Sequence, residues 1–241
     1  MLICDYQLMD HNGEMVDVSR WEGLSHCVCF HAKMGARVGM ETKFQFLNKP
    51  GSFVDESFSV GQNSGRITEE IEDTDRIMEA VKPRATQSPL VEFIHYFVKG
   101  LSSEQIYMLR KEGRFISLIL ATQGVPACKD GKAEPDAYRA LEKELYYLNK
   151  LPVKLVIRLC TGDEETVRLY NEIDSKLDNC DIIRDYQGEA TEVYLYNPWL
   201  TYSIGLHRLR EAGLALDGMD LLDEETLSFG EATLLVVEQH M

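Results

Sequence analysis

The segment His26-Cys27-Val28-Cys29-Phe30-His31 places four side chains able to ligate a soft metal within six residues. Zinc takes Cys and His ligands in a tetrahedron, so four such donors converging from a loop would make a site. The neighbouring pattern points elsewhere. Trp21, Leu24, Cys27, Val28, His31 and Ala32 recur at three- and four-residue spacing, which predicts an amphipathic helix opening at Ser19 or Arg20. On a helix, Cys27 and His31 share a face at i and i+4 while Cys29 lies on another, so only two donors converge. The segment reads as a packed helix surface.

Two further sets of residues invite a chemical reading. Gly61-Gln62-Asn63-Ser64-Gly65 precedes a helix opening at Arg66 or Ile67, and free amides at a helix start can hold phosphate. The stretch lacks the lysine of a phosphate loop and the spacing of a dinucleotide fingerprint, so it reads as a turn. Cys128 and His207 are a nucleophile and a base in type, but nothing in the sequence brings them within reach of one another. No Gly-x-Ser-x-Gly or His-Glu-x-x-His motif occurs. An enzyme is not expected.

A different edge is better supported. Phe115-Ile-Ser-Leu-Ile-Leu-Ala121 is a continuous apolar run between Arg114 and Thr122, the pattern of a strand buried on both faces of a parallel sheet. Ligand sites of such sheets lie past the carboxyl ends of the strands, which places Thr122-Gln123-Gly124 where chemistry is expected. The residue there is Gln123, a neutral amide rather than a carboxylate. Met1–Cys4 reads as a first strand ending at Asp5, so Asp5 and Gln123 would flank one another at that edge.

These residues need a scaffold, and the chain supplies alternating elements. A polar loop is expected over 10–17, the first helix ends at Gly35 or Gly39, and strands follow at Thr42–Leu47 and, more weakly, Ser57–Val60. Helices are expected from Ile67 to about Val81 and from Ser88-Pro89, with a break at Gly100 and resumption through Met108. Further elements are a helix from Glu134-Pro135 to Leu148, a strand Val153–Leu159 and a helix Thr161–Leu177. A short edge strand Asp181–Arg184 precedes helices at Ala190–Tyr196, Leu200–Glu211 and around Glu231–Val237. Trp199 with the tyrosines at 194, 196 and 202 forms an aromatic segment that is either core or interface, core being the expectation for Trp199. The alternation predicts an α/β fold: a doubly wound, mostly parallel sheet with helices on both faces, a Rossmann-like three-layer sandwich.

Several segments together resemble the von Willebrand factor A domain. Asp5-Tyr-Gln-Leu-Met9 resembles its Asp-x-Ser-x-Ser loop, Ser88-Pro-Leu90 its Thr-Pro-Leu loop, and Ala121-Thr-Gln-Gly124 its Thr-Asp-Gly strand end. Arg158-Leu-Cys-Thr161 and Asn197-Pro-Trp-Leu-Thr-Tyr202 are similar to later segments of the family. The resemblance covers 1–213 as one domain and leaves 214–241 as a C-terminal helical extension, packed on the domain or docking a partner. It implies a divalent cation, Mg²⁺, at a metal-ion-dependent adhesion site. Asp5 is retained and Ser88 stands for the threonine, but Gln7 and Met9 replace the serines and Gln123 replaces the second aspartate. Mg²⁺ wants six oxygens, and a thioether is a soft donor, so the site is degenerate and no cofactor is expected.

The composition limits the partners. The 241-residue chain carries a formal net charge of −15, which disfavours nucleic acid and anionic membrane surfaces. No apolar window approaches a membrane span. Six cysteines without a CxxC pair, and a first stretch without a basic region and long apolar run, fit an intracellular, cytoplasmic location. The expected function is a non-enzymatic protein-interaction module whose ligand-binding edge is Asp5, Gln7, Met9, Ser88 and Gln123, with metal donors reduced to Asp5 and Ser88. The alternatives are a structural subunit docking through its surface and C-terminal tail, and a divalent-metal-dependent binder or Rossmann-like hydrolase.

Overall fold

A computed structural model describes residues 6–9, 14–51, 54–62, 65–81, 88–124, 126, 135–177, 179–213 and 218–238. The expected strand Met1–Cys4 and residues Asp5 and Cys128 lie outside these. The chain divides into two compact units, Met1–Phe93 with Val125–Ala137, and Ile94–Gly124 with Tyr138–Met241.

In the first unit, strands β1 (Tyr6–Met9) and β2 (Met15–Val18) pair antiparallel, Tyr6 opposite Val18 and Met9 opposite Met15. The polar loop expected over 10–17 is therefore cut short. Met15-Val16-Asp17-Val18 alternates in the period of a strand, and Asn12-Gly13 lies outside the described residues. Helix α1 (Arg20–Arg37) starts where the sequence places it. Ser19 accepts from the Glu22 amide and Glu22 returns a bond to the Ser19 amide, a complete capping box. The helix runs through Gly35 rather than stopping there. A methyl group at Gly35 would lie 2.6 Å from Thr42 Oγ1, so glycine serves close packing at this position.

Strands β3 (Thr42–Gln45) and β4 (Ser57–Val60) form a second antiparallel hairpin, and helix α2 (Ile67–Ala80) follows. Ala32 and Ala36 of α1 pack on Val60 with Phe44, Phe58, Ile67 and Ile71, the two rings stacked at 4.9 Å. Helix α3 (Leu90–Gly100) begins in this unit, one residue later than Pro89 suggests, and Ser88 forms an isolated parallel bridge with Pro126. The alternation of strand and helix expected from the first residue thus does not describe this unit. Consecutive strands pair antiparallel, their links, 10–14 and 46–56, being shorter than the dozen or more residues a parallel crossover takes.

The second unit carries the α/β pattern. Helix α4 (Ser103–Lys111) precedes β5 (Ile116–Thr122), then come α5 (Pro135–Leu148), β6 (Val153–Leu159), α6 (Glu164–Asp174) and β7 (Cys180–Ile183). The three strands form one parallel sheet in the order β5-β6-β7, with Ile116 opposite Val153 and Leu155 opposite Cys180. β6, central in the sheet, is buried over six of its seven residues. β5 is not the doubly buried strand its composition predicts: its side chains alternate until Leu120, and Phe115 and Ile119 are exposed. An apolar run reports low polarity, not the number of neighbours, and β5 ends the sheet among the described residues.

Helices α7 (Tyr186–Tyr196) and α8 (Ile204–Glu211) follow, then a 3₁₀ turn at Asp220–Asp223 and α9 (Phe229–Glu238). α7 starts four residues before the expected Ala190 because Asp185 accepts from the Gly188 amide and caps it; Ser203 likewise caps α8 and moves its start from Leu200. Gly213 ends α8 in the left-handed region at φ 67°, with Ser117 Oγ donating to Ala212 O at 2.6 Å beside it. Val193, Tyr202, Met219, Leu222 and Leu227 form one apolar cluster, so Met219, Leu222 and Leu227 belong to this unit's interior. Among the described residues no helix is long and apolar enough to cross a membrane.

Candidate functional site

At the carboxyl edge of the parallel sheet, β5 ends in Thr122 and β6 in Leu159, with Cys160 and Thr161 beyond. The Cys160 amide donates to Thr122 O at 2.6 Å, and the Tyr170 hydroxyl donates to Gly124 O at 3.1 Å. Burial raises the Tyr170 hydroxyl well above the usual phenol range, so it stays a neutral donor. Asp163, which faces the same edge, caps α6 by accepting from the Thr166 amide and hydroxyl. Gln123 lies in the bend past β5 and is exposed.

The other expected edge residues belong to the first unit. Gln7 and Met9 sit on β1, where the resemblance implies a loop. Ser88 is half-buried in its bridge with Pro126. The donor types do not suit a hard octahedral ion: Met9 brings a thioether into a regular strand, and Gln7 and Gln123 bring neutral amides. No step is assigned to Mg²⁺.

The Cys–His segment lies within α1, as its spacing predicts. Cys27 is buried, and the Cys29 thiol, pushed up to about 12 by burial and by the neighbouring Asp75 carboxylate, is inert. The glycine loop is also occupied from within, since the Gly61 amide donates to Glu70 Oε2 at 2.8 Å. His207 is buried, with Nδ1 3.2 Å from the Tyr202 hydroxyl and Nε2 3.3 Å from Glu211 Oε1.

Large side chains are also exposed around the end of α7 and the start of α9. Tyr194 is 66% exposed, Leu195 71%, Trp199 50% and Phe229 90%. Trp199 is thus surface and Tyr202 core, which divides the aromatic segment. Asn197 fixes this region. Fully buried, it donates from Nδ2 to Leu222 O and Glu225 O, both at 2.8 Å, and accepts on Oδ1 from the Leu227 amide and the Trp199 indole. Thr226 Oγ1 donates to Tyr196 O at 3.0 Å. The segment 222–229 is therefore held against the end of α7, with Phe229 projecting from it. A signal for this was present in the sequence: Tyr194-Leu195-Tyr196 are consecutive, and three successive helical residues cannot all face one core.

A buried ionic cluster lies in the same unit, and sequence reading missed it. Arg210 is 1% exposed and reaches Asp181 at 2.8 Å, Glu189 at 2.7 Å and Asp223 at 2.8 Å, joining β7, α7, α8 and the 3₁₀ turn. Glu189, Glu192 and Asp223 bring carboxylate oxygens within 4.8 Å of one another, but Glu189 and Asp223 already face this guanidinium and Glu192 faces Arg184 at 2.8 Å. Arg158 pairs with Glu211 at 2.7 Å, which also holds Arg208. Three carboxylates share one arginine, and burial raises Glu189 and Asp223 against the pull of Arg210.

Asp174, close to this cluster, is held at about 8 by burial and by Asp181, Glu224 and Asp223. A carboxyl raised on folding adds stability that is complete below its unfolded value near 3.8 and is lost as pH rises through about 8. His207 acts oppositely, since burial lowers it, and its contribution is lost only below its unfolded 6.5. Between about pH 6.5 and 8 the His207 contribution is constant, and Asp174 adds up to about 1.4 kcal/mol per pH unit to the downward slope that the raised carboxyls Glu189 and Asp223 share. Melting curves over that window should fall with pH in the wild type and fall less steeply in Asp174→Asn. Equal slopes would show that Asp174 does not bind the proton.

No protein-family model matches the chain, and no curated protein matches it.

Proposed function

We propose that the chain is a non-enzymatic protein-interaction module on an α/β scaffold, working without a bound metal. The observation that carries this reading is the exposure of Leu195, Trp199 and Phe229, large apolar side chains left in solvent near the hydrogen-bonded end of α7. Protein partners bury side chains of this kind, and Trp is among those that dominate the energetics of such contacts. In the finer form of the proposal the scaffold is a von Willebrand factor A-like, doubly wound sandwich with a degenerate adhesion site. The exposed amide of Gln123 at a carboxyl edge supports it, with Asp5, Gln7, Met9 and Ser88 as the other edge residues.

The alternative of a subunit docking through its C-terminal part is favoured by the same residues, because Phe229 opens the last helix. Affinity capture with the full chain tests both forms. A protein should be retained in stoichiometric amount, with EDTA present, and lost with Leu195→Asp plus Phe229→Asp. Retention abolished by EDTA would overturn the metal-free reading, and retention surviving the double substitution would overturn the role of Leu195 and Phe229.

A further inference from the structure

We propose that the amino edge of the parallel sheet, where β5 and β6 begin, binds a short acidic segment of a partner protein, a run of aspartate and glutamate. The proposal goes beyond the residues around the end of α7 and uses none of them. Three cations meet at this edge. Arg110, in the last turn of α4, donates to Lys150 O at 2.7 Å. Lys150 Nζ stands 4.0 Å from the centre of the Tyr146 ring, and Lys154 Nζ stands 4.8 Å from that of Phe115. The starts of the two strands are tied together, since the Ile116 amide, next to Phe115, donates to Pro152 O at 2.9 Å.

The chain has 40 acidic residues against 25 Lys and Arg, yet among the described residues none of these three cations pairs with a carboxylate. The acids on the same elements face other cations: Glu112 pairs with Arg114, Glu142 with Lys176 and Glu144 with His95. Arg158, Arg184 and Arg210 of the same unit each hold a carboxylate. Positive potential is therefore left at one place. The rings of Tyr146 and Phe115, both exposed, hold the two ammonium groups without neutralising them.

The geometry selects among anions. Phosphate is held by helix N-termini and converging amides, whereas this edge presents the C-terminal ends of α4 and α5, whose carbonyls disfavour a compact dianion. Nucleic acid or an anionic membrane would extend past the edge and meet the repulsion of a chain with net charge −15. A short acidic peptide stays within about 8 Å of the cations, one screening length at physiological salt. Its separate carboxylates match cations that stand on separate elements.

A labelled peptide alternating glutamate with serine, and its glutamine counterpart, provide the probe. Fluorescence anisotropy with the full chain should show the glutamate peptide binding at least about tenfold more tightly, the margin narrowing as salt rises from about 0.05 to 0.3 M. Net charge alone predicts the reverse order. Lys150→Gln with Lys154→Gln should melt like the wild type and lose about tenfold in affinity, and Lys150→Gln alone, at an exposed site, about threefold. Arg37→Gln with Lys43→Gln removes the same charge from two exposed positions of the first unit and should leave binding unchanged.

Equal binding of the two peptides would overturn the proposal, and so would equal losses in the two double variants. Tighter binding of single-stranded oligothymidylate than of the glutamate peptide would assign the edge to nucleic acid. Capture by phosphatidylserine vesicles would assign it to lipid, and a dimer abolished by Lys150→Gln would assign it to a second copy. Each of these three results overturns it as well.

Discussion

Arg210→Ala should destabilise the protein by about 3–5 kcal/mol, the usual cost of removing one member of a buried ion pair. For a chain of this length that corresponds to a melting temperature lower by about 6–20 °C. The loss exceeds that of a cavity alone because Asp181, Glu189 and Asp223 remain, with Glu189 almost wholly buried and the other two largely so. Three like charges then face one another where the guanidinium stood. Protonation relieves them, so the gap between wild type and variant should shrink as pH falls from about 8 to 5. Adding Glu189→Gln to Arg210→Ala should recover part of the loss, by removing a charge and keeping the shape. A gap constant across that pH range would mean that Arg210 matters only as volume.

The same cluster shows what could be read in the chain and what could not. Val153–Leu159 was legible to the residue because five β-branched or leucine residues stand between Pro152 and Cys160, interrupted by Lys154 and Arg158, and Cys180–Ile183 was displaced by one residue from the expected 181–184. Elements whose ends depend on a single cap moved further: Asp185 extends α7 by a turn, and Ser203 shortens α8. Burial was less legible than secondary structure. β5 is as apolar as β6 yet half-exposed, and Trp199, expected in the core, is surface. Arg210 and its partners are separated by up to 29 residues, and a charged helical residue looks solvated until its distant partners are known. The candidate edge shared this difficulty. Asp5, Gln7, Met9, Ser88 and Gln123 were linked by resemblance rather than by spacing, and two of them are placed in a strand instead of a loop.

Asn197→Ala should cost about 2–4 kcal/mol and loosen the segment 222–229 selectively. Four groups lose their partner at once: the carbonyls of Leu222 and Glu225, the Leu227 amide and the Trp199 indole. Leu222 and Leu227 are buried, so their backbone groups gain no water in exchange, and each unmade bond of this kind costs about 1–3 kcal/mol. Two groups are nearer solvent, which keeps the total below the sum. Asn197→Asp separates the two halves of the amide's role. It preserves the acceptor for Leu227 and Trp199 but turns a carboxylate oxygen toward two carbonyls, so at neutral pH it should be at least as damaging as alanine. Limited proteolysis reads the local part: cleavage within 222–229 should rise in both variants before the parallel sheet is affected, because that segment is held to α7 chiefly through Asn197 and Thr226. If aspartate were tolerated as well as asparagine, the Nδ2 bonds to the Leu222 and Glu225 carbonyls would not be what holds the segment.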